Sequence, residues 1–116
     1  MSNDNTIEGC GCPIMTFQRM ISGKYKVRIL WDLRDGPRRY GEIRNGLRQG
    51  AGSGSTITPR VLSRELKALA EVGLVDRRDY RLAPPKVEYS LTSLGESFIP
   101  VIANIRDWGS RNLGAA

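Results

Sequence analysis

Apolar residues recur at helical spacing in five stretches of this chain and alternate in one more. Ile14, Phe17, Met20 and Ile21 mark a short helix that opens at Pro13 and ends near Ser22-Gly23. Ile29, Leu30 and Leu33 line one side of a second helix, about Tyr25 to Arg34, which Gly36-Pro37 stops. Tyr40, Ile43 and Leu47 give a third, from Tyr40 to Leu47. The stretch Arg48 to Thr56 has almost no apolar side chain and reads as a loop joining two helices of one fold.

The next stretch, "TPRVLSRELKALAEVGLVDRR", is the most informative. Thr58 is a good N-cap, and Pro59 suits the first helical position, where a missing N–H costs nothing. At about 100° per residue, Leu62, Leu66, Leu69 and Gly73 project to one side of this helix. Arg60, Arg64 and Lys67 fall within roughly 60° of one another on the other side. Gly73 ends the helix, and Leu74 to Tyr80 reads as a strand.

Arg81 to Pro85, "RLAPP", turns the chain. Val87, Tyr89 and Leu91 then alternate with Lys86, Glu88 and Ser90, as in a half-buried returning strand. Thr92 caps a last helix, about Ser93 to Asn112, striped by Leu94, Phe98, Val101, Ile102, Ile105 and Trp108. Pro100 should bend that helix or open its backbone locally. The fold class is therefore mainly α with a small antiparallel β-hairpin, in the order helix, helix, helix, loop, helix, hairpin, helix.

At 116 residues the chain suits one domain. Residues 1–11 read as a disordered polar tail, 12–113 as the domain and 114–116 as a short C-terminal tail. No run approaches the roughly 20 apolar residues of a membrane span, and the start lacks signal-peptide character, so the expected location is the cytoplasm, with no membrane partner. There is no histidine, which removes Ser-His-Asp and Cys-His catalysis and most zinc sites. Cys10 and Cys12 cannot complete a four-ligand metal site within one chain. No enzyme activity, cofactor or metal is expected.

The formal charge of +6 and pI near 9.8 favour a polyanionic partner. Three helices followed by a hairpin is the order of a winged helix-turn-helix, whose second helix enters the major groove while the hairpin reaches the flanking backbone. Thr58, Arg60, Ser63, Arg64 and Lys67 are then placed to meet phosphates and base edges. Arg77, Arg78, Arg81 and Lys86 put charge on the hairpin, and Arg38 and Arg39 add to it ahead of the third helix. The plain alternative is a solvated basic face, which exposed helices often carry.

The chain resembles the HxlR-type winged-helix transcription regulators. The resemblance is carried by "CP" at Cys12-Pro13, "GKYKVRILWDLRDGPRRYGEI" at Gly23 to Ile43 and "ITPRVLSRELKALAEVGLVDR" at Ile57 to Arg77. "PPKVEYSLTSLG" at Pro84 to Gly95, its most specific part, and the closing "DWG" at Asp107 to Gly109 complete it. Tyr25 stands where the family usually has tryptophan, and the stretch Arg48 to Thr56 is longer than the family's turn before the recognition helix. Closure entropy grows slowly enough with length for such a loop to be accommodated.

The resemblance implies a homodimer, joined through the first and last helices, on palindromic double-stranded operator DNA. Ile14 and Phe17 of the first helix, with Phe98, Ile99, Val101, Ile102, Ile105 and Trp108 of the last, are the expected seam. The last helix's apolar residues spread around more of its surface than one intrachain core needs. Taken singly, Phe98 or Trp108 reads better as part of the chain's own core.

Cys12 matches the N-terminal cysteine that several family members use to sense quinones, aldehydes or oxidants. A helix start favours the thiolate, the reactive form. The other reading is a small inert side chain under the seam. A Cys10–Cys12 disulfide would close a tight ring, so an intersubunit bridge or mixed disulfide is easier to build. The expected function is a sequence-specific DNA-binding regulator, a homodimeric repressor, with Cys12 as the candidate for a thiol response and no identified small-molecule effector. The alternative is a winged-helix protein-interaction module, whose DNA association would be sequence-blind and salt-sensitive.

Overall fold

The computed structural model describes residues 12–50 and 57–114. The expected tail 1–11 with Cys10, most of the expected loop at 51–56, and residues 115–116 lie outside the described residues. The elements are α1 (Pro13–Ile21), α2 (Lys26–Asp32), β1 (Arg38–Arg39), α3 (Tyr40–Gly50), α4 (Pro59–Glu71), β2 (Val75–Asp79), β3 (Val87–Leu91) and α5 (Ser93–Asn112). This is a mainly helical fold with a three-stranded antiparallel sheet in the order β1-β3-β2.

Two features depart from the sequence reading. The hairpin gains a third strand, β1, whose Arg38 and Arg39 pair with Tyr89 and Glu88 of β3. The third helix runs on to Gly50, so Arg48 to Gly50 are helical rather than loop. Arg48 and Gln49 are good helix formers, and Arg48 in the last turn complements the helix dipole.

The core gathers Ile29, Leu30 and Leu33 of α2 and its C-terminal turn, Ile43 and Leu47 of α3, and Leu62, Leu66 and Leu69 of α4. Ile57, Leu74, Val75 and Ile102 complete it. Burying each such side chain stabilises the fold by about 1.5–3 kcal/mol relative to exposure. The three leucines of α4 thus fix which of its faces points inward.

Both ends of α4 are closed. The Thr58 hydroxyl accepts the Val61 N–H at 3.2 Å, a cap whose removal typically costs about 1 kcal/mol. At the other end Gly73, at φ +81°, takes the left-handed conformation that lets the Leu74 N–H reach the Leu69 carbonyl and the Gly73 N–H reach that of Ala70.

The start of α5 is fastened to this same turn. The Thr92 hydroxyl donates to the Gly73 carbonyl at 2.5 Å and accepts from the Gly95 N–H at 3.1 Å. The Thr92 N–H donates to the Leu74 carbonyl. A side chain at Gly95 would overlap that carbonyl oxygen, so glycine is required for the helix to approach the strand. Helix α5 then runs unbroken through Pro100, although proline offers no N–H to the Glu96 carbonyl.

Candidate nucleic-acid interface

Helix α4 divides cleanly. Leu62, Glu65, Leu66 and Leu69 are buried, while Thr58, Arg60, Ser63, Arg64 and Lys67 are exposed. Ser63 and Lys67 share a groove of about 480 Å³ with Leu66, Ala70, Glu71, Arg77 and Tyr89. The helix's outward face and the first arginine of the hairpin therefore lie side by side.

The remaining cations of the sheet separate by strand parity. Cross-strand partners share a face, so Arg38, Tyr89 and Arg77 form one row and Arg39, Glu88 and Arg78 the row on the opposite face. Arg38 turns toward the end of α2, where its Nε donates to the Asp32 carbonyl at 2.9 Å. On the opposite face the Arg78 guanidinium and the Lys86 ammonium sit 4.7 and 4.4 Å from the Tyr80 ring centre. The Tyr80 hydroxyl donates to Glu88 Oε1 at 2.6 Å, and this bond holds the phenol above its ordinary pKa of 10. Arg81 is exposed at the hairpin tip, at φ +56°, with its N–H donating to Asp79 Oδ1 at 2.8 Å.

Several residues that organise this surface escaped the sequence reading. Tyr40 donates from its hydroxyl to the Pro59 carbonyl at 2.9 Å and ties α3 to the start of α4. Tyr89 lines the groove beside Arg77. Glu65, inside α4, is buried and paired with Lys26 of α2. Glu65 was detectable in principle, because it lies about 60° from Leu62 on the helical wheel, at the margin of the apolar face.

The residues expected at a dimer seam fall into two groups. Ile14, Phe17, Val101, Ile105 and Trp108 are exposed, Ile14 at 70% and Trp108 at 52%. Trp108 is thus outside the chain's own core, contrary to its reading as a single residue. Ile102 is buried in that core, while Phe98 and Ile99 are half-buried against it. Ile102 therefore offers little surface to a second chain, because it points from α5 inward. The Phe17 and Phe98 rings meet at 5.2 Å between α1 and α5. An apolar groove of about 540 Å³ beside them is lined by Met20, Leu74, Leu94 and Val101, among others.

Cys12 is an exposed free thiol at the N-cap of α1. Its carbonyl accepts the Thr16 N–H at 3.1 Å, which begins the helix. Among the described residues no group of three or more histidine, cysteine, aspartate or glutamate side chains is placed to hold a metal ion. Among them, too, no helix is long and apolar enough to cross a membrane.

A family model described as HxlR-like helix-turn-helix matches residues 20–116. The chain belongs to the HxlR-like helix-turn-helix family. It is 40% identical over 101 residues to the uncharacterized HTH-type transcriptional regulator YdeP of Bacillus subtilis (strain 168), across 87% of this chain and 73% of that protein. Among solved structures it is similar to the redox regulator HypR. The reduced form matches at 35% identity and TM-score 0.75, over 87% of this chain and 93% of that one. The oxidised form matches at 36% and 0.73, over 87% and 97%. The reduced form of the transcriptional regulator YodB from B. subtilis matches at 25% and 0.72, over 90% and 97%. The HxlR-like chain is thus a transcriptional regulator of helix-turn-helix type, and its family and fold are those of regulators rather than enzymes.

Proposed function

We propose that this chain is a sequence-specific DNA-binding repressor that acts as a homodimer, with α4 reading the major groove and the β2–β3 hairpin holding the flanking backbone. The observation that carries the reading is the divided helix: three buried leucines fix its inner face, and Arg60, Ser63, Arg64 and Lys67 occupy the outer one beside Arg77. Arginine at such a position matches guanine edges with two parallel hydrogen bonds, and lysine neutralises phosphate. Thr58 at the start of α4 and Arg81 at the hairpin tip supply backbone contacts, while Arg39, Arg78 and Lys86, on the sheet face opposite Arg77, add positive charge. Arg38, engaged at the end of α2, contributes charge more than direct contact. Replacing Arg64 with Ala is expected to weaken operator binding by about 1–3 kcal/mol and to relax selectivity at one base position. An unchanged titration would overturn the assignment of α4.

The homodimer reading is supported by the exposed apolar residues of α1 and α5, Ile14, Phe17, Val101, Ile105 and Trp108. The repressor would respond to oxidants or electrophiles at Cys12, a reading supported by the exposure of that thiol and by the similarity to a redox regulator. Operator binding that is lost on thiol oxidation in the native chain and kept in Cys12→Ser is the expected result. Equal loss in both would remove Cys12 from the switch.

A further inference from the structure

Among the described residues, Glu65 is the buried charged residue, 5% exposed in the middle of a helix whose other charges face water. Its Oε1 accepts from the Lys26 ammonium at the start of α2, and the two side chains are 7% and 13% exposed. The same ammonium donates to the Ser22 carbonyl at 2.8 Å. Gly23 closes over the pair at φ +133°, and a Cβ there would lie 2.8 Å from Lys26 Nζ and 3.1 and 3.3 Å from the two Glu65 oxygens. Glycine is thus needed at that position both for its backbone conformation and for the space it leaves.

The leucines of α4 fix which face points inward, but apolar burial is non-directional and sets the helix's rotation less finely than a hydrogen-bonded pair does. A helix with side chains has a radius of about 5–6 Å, so a rotation of about 20° moves a side-chain tip by about 2 Å. That displacement leaves the leucines buried and breaks a hydrogen bond to a base edge, whose useful length varies by only a few tenths of an ångström. A buried ion pair costs desolvation, and its best attested use is to fix register.

We propose that Lys26 and Glu65 are positioning residues for base reading, fixing the rotation of α4 about its own axis so that Arg60, Arg64 and Lys67 meet the groove in register. This rests on the DNA-reading role proposed for α4. Lys26 lies on α2 and is nearly enclosed, so it affects selectivity through Glu65 and not by contact with DNA. Without the ammonium, the Glu65 carboxylate turns toward water and carries the helix with it.

The experiment titrates a duplex from upstream of the protein's own gene and a scrambled duplex against wild-type, Lys26→Met and Glu65→Gln, with folding checked by circular dichroism. Lys26→Met is expected to lower the ratio of the two affinities by about tenfold, the scale of one wrong base pair. Its binding to the scrambled duplex should stay at the wild-type level, because every exposed cation of α4 remains. Glu65→Gln, which keeps a hydrogen bond to Lys26, should hold the ratio within about twofold, a change worth less than one lost hydrogen bond. If Lys26→Met does not fold, Glu65→Ala replaces it with the same expected loss of ratio. A folded Lys26→Met or Glu65→Ala with the wild-type ratio overturns the positioning role alone, as does equal weakening on both duplexes. A wild-type protein with no preference between the duplexes overturns the DNA-reading role and this inference with it.

Discussion

The two ends of the hydrophobic pattern are finished to different degrees. Around α4 every large apolar side chain of the helix's inner face is enclosed, and a buried ion pair completes it. Along α1 and α5, Ile14, Phe17, Val101, Ile105 and Trp108 stay exposed, although α5 is the longest helix described. A large apolar patch is costly to leave in water and marks an interaction site. The contrast separates two regions: the α2–α3–α4 unit presents a basic face on an enclosed core, and the α1–α5 face leaves apolar side chains open, the surface that the proposed homodimer would cover.

The contrast is sharpest to test in the core. Leu66→Ala should cost about 2–5 kcal/mol of stability, read by chemical denaturation, because the enclosed site cannot collapse around the void. A loss below about 1 kcal/mol would mean that α4 is not packed as described. Ile105→Glu addresses the other region. It should leave the helical circular dichroism signal intact and lower the mass in sedimentation from dimer to monomer; retention of the dimer would remove α5 from the interface. The smallest effect is at the hairpin. Glu88→Gln should bring the Tyr80 titration, followed by phenolate absorbance, down toward the ordinary phenol value. The raised pKa favours the protonated phenol, so the Tyr80–Glu88 contribution is present below pH 10 and is lost as pH rises through the folded-state value. An unchanged titration would show that Glu88 does not hold the hydroxyl.

How much the sequence disclosed follows the range of the forces involved. Helix α4 was legible because its signals are local: Thr58 and Pro59 at one end, Gly73 at the other, and leucines spaced between. Strand β1 was not, since two arginines have no alternation to read and become a strand only by pairing with β3. The division of the sheet's cations by face needed the register, which composition does not carry. Lys26 and Glu65 are 39 positions apart, so neither announces the other. Ile102 and Trp108 show the same limit on α5: both belong to one apolar stripe, and only the packed chain distinguishes the inward residue from the outward one.

The most direct test of the central claim is a salt series of binding to the DNA upstream of the protein's own gene and to a scrambled duplex of equal length. If α4 reads bases, the upstream duplex keeps a preference of at least about a thousandfold while both affinities fall with salt. If the two duplexes bind equally and both are lost at modest salt, the basic face is not a reader of DNA sequence.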